Sequence, residues 1–120
     1  MHRRLLSGGA GELQACISNR STPLLVAALN GHTEVARLLI SSGAAVNQAT
    51  TDTGSIPLYV GAQEGHIEVA SLLISSGAAV NQATTNNGAT PLYAAAQTGH
   101  TAVARLLVSS GAAVNTAKAR

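Results

Sequence analysis

The segment TPLLVAALNGHTEVARLLISSGAAVN, residues 22–47, has the pattern of two short helices joined by a tight turn. Thr22 is a good N-cap residue and proline is favoured at the first helical position, so a helix is predicted to begin there. Gly31 ends it after about two turns, because glycine adopts the left-handed C-cap conformation without strain. A second helix is predicted from about Thr33 until Gly43.

Apolar residues recur in both predicted helices at the spacing of one helix face. The face consists of Leu24, Ala27 and Ala28 in the first helix, and of Val35, Ala36, Leu38 and Leu39 in the second. The following residues, 43–55, are rich in Gly, Asn, Thr and Asp and show no helical period. They are therefore expected to form a loop or hairpin.

This unit occurs three times at intervals of 34 residues, and its prolines mark the interval at Pro23, Pro57 and Pro91. Residues 3–15 also align with 37–49 after the same shift. We therefore expect a single domain over the whole chain, in which a degenerate half repeat precedes three repeats. The predicted boundaries are 1–21 for the half repeat and 22–55, 56–89 and 90–120 for the repeats.

The interval matches the tetratricopeptide class, but the long irregular stretch leaves no room for two longer helices. Residues 90–115, TPLYAAAQTGHTAVARLLVSSGAAVN, closely resemble the ankyrin repeat, whose pattern is roughly TPLHxAAxxGHxxVVxLLxxGAxVN. The resemblance covers residues 22–120. It implies an all-α, ankyrin-type α-solenoid of stacked short helix-turn-helix repeats with projecting hairpin-like loops. The additional residue lies between Gly77 and Thr90, in the loop, where ankyrin repeats tolerate insertions.

Composition excludes several classes of function. The chain has 46% hydrophobic and 10% charged residues with no Phe or Trp, which suits thin, closely packed helices. Its net charge of +2 comes without the dense basic stripe of nucleic-acid binders, so no nucleic-acid partner is expected. No apolar run is long enough for a membrane span or a signal peptide, and Cys16 has no second cysteine to pair with. We therefore expect no membrane association and an intracellular, cytoplasmic location.

No catalytic, cofactor or metal site is expected. The histidines of the inter-helix turns, His32, His66 and His100, lie on neighbouring repeats about 8–10 Å apart, too far to share one zinc ion. Family resemblance implies that they hydrogen-bond the turn instead. Glu64 and Glu68 flank only His66, and the glycine-rich residues 7–11 lack the Gly-Lys-Ser/Thr of a phosphate-binding loop. The chain is therefore predicted not to be an enzyme.

Positions that differ between repeats are the candidates for binding a protein partner, since packing explains the shared ones. By resemblance they line the concave side of the solenoid, on the finger loops and the ends of the first helices. They are Asp52, Thr53, Ser55, Tyr59, Gln63, Glu64, Asn86, Asn87, Ala89, Tyr93, Gln97 and Thr98. Unconstrained drift of the loops is the alternative. Tyr59 and Tyr93 stand where the family usually has histidine, and either anchor a partner or pack within the fold.

The expected function is a non-catalytic protein–protein interaction module. The alternatives are an architectural spacer or fragment of a longer array, a consensus-like scaffold, and a regulatory segment of an enzyme. Near-identity of the repeats, such as VNQATT at 46–51 and 80–85, favours the spacer. We also expect the last repeat to be uncovered, leaving Val103, Leu106 and Leu107 exposed for weak self-association.

Overall fold

The computed structural model describes residues 20–117, and six α-helices make up the regular structure of this part. The helices are α1 (Pro23–Asn30), α2 (Thr33–Ser41), α3 (Pro57–Glu64), α4 (Ile67–Ser75), α5 (Pro91–Thr98) and α6 (Thr101–Ser109). The range contains no strand, so the all-α prediction is confirmed. Cys16, the segment 7–11 and nearly all of the half repeat predicted for 1–21 lie outside the described residues.

Each repeat begins with a helix whose ends agree with the sequence prediction. The Thr22 hydroxyl accepts a hydrogen bond from the backbone N–H of Leu25 at 3.2 Å, and Thr90 does the same for Tyr93. Each first helix starts with proline and ends at a left-handed glycine; for example, Gly31 has φ 72°. Local hydrogen bonding of this kind satisfies backbone groups that a short helix leaves unpaired.

The stretch between one helix pair and the next forms turns that project as a finger loop. A backbone hydrogen bond closes each finger, from the N–H of Thr50 to the Ser55 carbonyl and from Thr84 to Ala89. The Thr85 N–H also donates to the Thr53 carbonyl at 2.8 Å, which joins the two fingers. The predicted loop or hairpin between the helices is thus a finger whose register is fixed by backbone pairing.

Stacking of equivalent helices makes the fold a solenoid. The first helices α1, α3 and α5 pack side by side as one layer, and the second helices α2, α4 and α6 form another. Leu24, Leu58 and Ala95 of the first helices are buried in the core together with Ala28 and Ala62. Each repeat buries its apolar face only against its neighbours, which is the physical basis of stability in solenoids.

The apolar face of the second helices is covered differently from our expectation. Val35 and Leu38 of α2 were predicted to be core, but they are 50% and 65% exposed. In α6, by contrast, Val103 and Leu107 are fully buried and Leu106 is half-buried, so the prediction that these three are uncovered was wrong. The reason is direction: this face of each second helix packs against the preceding repeat, not the following one.

Every helix within residues 20–117 is eight or nine residues long, and none has the length and apolarity needed to cross a bilayer.

Candidate functional site

Two tyrosines occupy equivalent positions on adjacent first helices. Tyr59 lies in α3 and Tyr93 in α5, and both side chains are half-buried, whereas Leu25 at the same position of α1 is buried. Burial raises the pKa of the Tyr59 phenol above its usual value, and the nearby Tyr93 adds to the shift. The structure therefore brings the only two aromatic side chains of the chain close together at the surface of one helix layer.

The ends of the same helices carry polar side chains. Gln63 and Glu64 of α3 are exposed, as are Gln97 and Thr98 of α5. Thr98 is held in place, because its hydroxyl donates to the Ala94 carbonyl at 2.7 Å. These side chains follow the two tyrosines along their helices, so a polar strip adjoins the aromatic pair.

The finger loops are shaped by their own side chains. Asp52 is exposed and accepts from the Thr53 N–H at 2.7 Å, while the Thr53 hydroxyl, 2.6 Å from that of Ser55, is half-buried. In the next finger Asn86 is exposed, and the half-buried Asn87 side chain accepts from the Thr84 hydroxyl at 2.8 Å. The structure thus leaves Asp52 and Asn86 outermost.

Two of the sequence candidates are not available to a partner. Ser55 and Ala89 occupy equivalent positions just before the first helix of their repeats, and both are buried. Their backbone groups close the fingers, since the Ser55 carbonyl and the Ala89 carbonyl accept from Thr50 and Thr84. Variation at this position therefore concerns packing inside the finger, and both residues must be removed from the candidate surface.

Histidine side chains contact the preceding repeat. Nε2 of His66 lies 3.1 Å from the carbonyl oxygen of Leu29 in the preceding repeat. A Cβ at Gly31 would lie only 2.6 Å from the His66 ring, so glycine is required there both for its left-handed backbone and for space. Within residues 20–117 no three His, Cys, Asp or Glu side chains are grouped so that they could hold a metal ion.

Asparagine side chains link the repeats in a way that our sequence analysis missed. An asparagine at the base of a loop often ties down its own turn with its side chain. Instead, Asn47 reaches the next repeat: its Nδ2 donates to the Gly77 carbonyl at 3.2 Å, and its Oδ1 accepts from the Ala79 N–H at 2.8 Å. Asn81 makes the same two bonds with Gly111 and Ala113. Recurrence of Val-Asn at the repeat interval was the available signal.

Comparison with known proteins agrees with this architecture. A family model described as ankyrin repeats (3 copies) matches residues 2–84 and again residues 53–118. No curated protein matches the chain. The two matches together extend over nearly the whole sequence, so they confirm the resemblance drawn from residues 90–115 and the helical solenoid it implied.

Proposed function

The chain belongs to the ankyrin-repeat family, and from that premise we propose that it is a non-catalytic module that binds a protein partner on the concave side of the solenoid. Ankyrin repeats are generally protein–protein interaction modules. The proposed contact area, called here the binding surface, combines the first helices with the finger loops. Its members are Asp52, Thr53, Tyr59, Gln63, Glu64, Asn86, Asn87, Tyr93, Gln97 and Thr98.

The pair of tyrosines carries this proposal. Tyr59 and Tyr93 are half-buried, so each ring is packed on one side and still accessible on the other. A ring fixed in this way loses little side-chain entropy when a partner covers it. Tyrosine is among the residues that contribute most to binding energy at protein interfaces. Two such rings on neighbouring helices offer a partner one continuous aromatic contact.

The charge of the binding surface indicates the chemistry of the partner. Its charged members, Asp52 and Glu64, are both acidic and both exposed. The remaining members are uncharged polar side chains apart from the tyrosines. We therefore infer a partner that presents an apolar group to the tyrosines and hydrogen-bond donors or cations around it.

The test compares matched variants of the 120-residue chain. Immobilised wild type and the Tyr59→Ala/Tyr93→Ala variant are exposed to the same lysate, and a protein retained only by the wild type is purified for affinity measurement. Each single Tyr→Ala change should weaken binding by more than about 1 kcal/mol, and Tyr→Phe by less, because the ring is kept. Asp52→Ala should mainly slow association, as expected for a charge at the rim.

Arg37→Ala is the control, since Arg37 is an exposed residue of α2 outside the binding surface. Its affinity should equal that of the wild type, and circular dichroism should show the same helix content for every variant. Equal affinity of the wild type and the double tyrosine variant would reject the binding surface. A wild-type chain that retains no protein at all would support the architectural spacer, which the unchanged VNQATT of two fingers favours.

A further inference from the structure

Every repeat has two faces, and the burial of equivalent residues shows which side chain belongs to which face. We call the side that meets the preceding repeat the leading face and the side that meets the following repeat the trailing face. Within residues 22–117 a trailing face packs against a leading face at two places, between the first and second repeats and between the second and third. Among the described residues, the leading face of the first repeat and the trailing face of the third meet no repeat.

The leading face of the first repeat exposes aliphatic side chains that are buried elsewhere. Val35 is half exposed, but its equivalents Val69 and Val103 are fully buried. Val26 is likewise exposed while Val60 is buried. Leu38 of the same face is the most exposed large aliphatic residue of the described helices, whereas Leu72 is half-buried. Such burial requires a preceding repeat.

The trailing face of the third repeat shows the complementary pattern. Val108 is 48% exposed, while Ile74 at the equivalent position is half-buried. Val114 is 64% exposed, while Val80 is half-buried. Ala96 is exposed, although its equivalent Ala62 is completely buried.

Polar groups at the two faces are complementary as well. Asn47 and Asn81 bridge to the next repeat, but the side chain of Asn115 makes no hydrogen bond within the described residues. The matching backbone groups of the first repeat, the Gly43 carbonyl and the Ala45 N–H, are likewise without a partner in that range. At the trailing end of the stack the Asn115 side chain thus lacks a hydrogen-bond partner within the described residues. At the leading end the backbone groups of Gly43 and Ala45 that would match it lack one as well.

Histidine and glycine give a third complementary pair. The His66 and His100 rings cover Gly31 and Gly65 of the preceding repeat, where an added Cβ would lie 2.6 and 2.5 Å away. The corresponding space at Gly99 is open, with no atom within 4 Å of an added Cβ. His32 of the first repeat is exposed.

We propose that these two faces bind each other between copies, so that the chain self-associates head to tail. Val35 and Leu38 of one copy would cover Val108 and Val114 of the next, reproducing an interface that the chain already forms twice. Asn115 would bridge to Gly43 and Ala45 in the same way. The contact is heterologous: it uses the leading face of one copy and the trailing face of another. Each assembly therefore keeps one free face at either end, so further copies can add and association does not stop at a dimer.

A second copy suits the leading face better than the sequence of residues 3–15 does. In the 34-residue alignment, Leu13 stands at the position of Asn47 and Asn81. A leucine side chain can neither accept from the Ala45 N–H nor donate to the Gly43 carbonyl. Asn115 of another copy supplies both functions, and it comes with the aliphatic face that fits Val35.

Sedimentation velocity over a wide concentration range tests the proposal on the 120-residue chain. The wild type should show an average mass that rises with concentration beyond that of a dimer. Leu38→Asp blocks the leading face and Val108→Asp the trailing face, so each variant alone should remain monomeric. An equimolar mixture of the two should form dimers and nothing larger, because each variant keeps one intact face. Asn115→Ala should weaken the association severalfold.

Gln82→Asp is the matched control, since it adds the same charge at an exposed position of the middle repeat and should associate like the wild type. A wild type that is monomeric at every concentration would overturn the proposal. So would single variants that still associate, because the contact would then lie elsewhere. A mixture of the two variants that remains monomeric would also overturn it. A monomeric wild type whose unfolding midpoint falls strongly in Leu38→Asp would assign the leading face to the chain's own first residues.

Discussion

At position 56 the burial of an isoleucine side chain offsets the loss of a helix cap. Threonine caps the first helix of the first and third repeats, but Ile56 stands at this position in the second and makes no side-chain hydrogen bond. Ile56 is only 1% exposed, and burying such a side chain contributes about 1.5–3 kcal/mol. A threonine cap contributes about 0.5–2 kcal/mol. Packing therefore offsets the missing cap.

The two contributions can be separated with Ile56→Val and Ile56→Thr, because valine and threonine have the same shape. Ile56→Val should lower the free energy of unfolding by about 0.5–1.5 kcal/mol through lost packing. Ile56→Thr should be more stable than Ile56→Val, because its hydroxyl can accept the bond that Thr90 accepts. Urea denaturation with an unchanged m-value measures both. A threonine variant less stable than the valine variant would contradict the capping argument.

Gly31 and Gly99 have the same backbone conformation but different neighbours, which makes them a matched pair. Alanine at either should cost about 1–2 kcal/mol because both have φ above 70°. Gly31→Ala should cost about 0.5–1.5 kcal/mol more, since the new Cβ displaces the His66 ring from the Leu29 carbonyl. Thermal or urea unfolding of dilute samples gives the comparison. Equal losses would show that the histidine contact contributes nothing.

At the scale of elements, α3 and α5 are coupled through their tyrosines. Burial, and then the proximity of Tyr93, raises the pKa of Tyr59 in the folded protein. The Tyr59 phenol of the unfolded chain therefore loses its proton at a lower pH than the same group in the folded protein. The stabilisation is complete below the ordinary tyrosine pKa of about 10 and is lost as pH rises through the higher folded value.

We therefore expect the free energy of unfolding to fall as pH rises above about 10, and to fall less steeply in Tyr59→Phe. Urea denaturation at a series of alkaline pH values measures the slope for each protein. In Tyr93→Phe the tyrosinate absorbance reports Tyr59 alone, since the chain has no other tyrosine. In this variant the pKa of Tyr59 should lie nearer the ordinary tyrosine value than it does in the wild type, because one cause of its shift is removed. An identical slope in wild type and Tyr59→Phe would contradict the assignment.

At the scale of the whole molecule, stability depends on how many neighbours a repeat has. The second repeat is covered on both faces, whereas the first lacks cover on Val35 and Leu38 and the third keeps its Val103 side buried. Hydrogen exchange should therefore find α4 the most protected second helix and α2 the least, in samples dilute enough to be monomeric. Protection of α6 below that of α2 would contradict this order.

Local chemistry in the sequence determined the helices. Thr22, the prolines and the glycines act on backbone groups within about four residues, so the helix ends could be predicted from the chain alone. The resemblance of residues 90–115 to the ankyrin repeat implied the solenoid, in which such short helices bury their apolar sides against neighbouring repeats. The two tyrosines could be recognised as a candidate site by their position in consecutive repeats.

Only the tertiary structure decided which of the equivalent residues are covered. Val35, Val69 and Val103 share one sequence context, yet the first is half exposed and the others are buried, because a preceding repeat covers only the latter two among the described residues. Asn47 bonds across repeats for the same reason. Burial and bridging depend on what lies beside a residue in space, and a sequence that repeats itself cannot encode that difference locally.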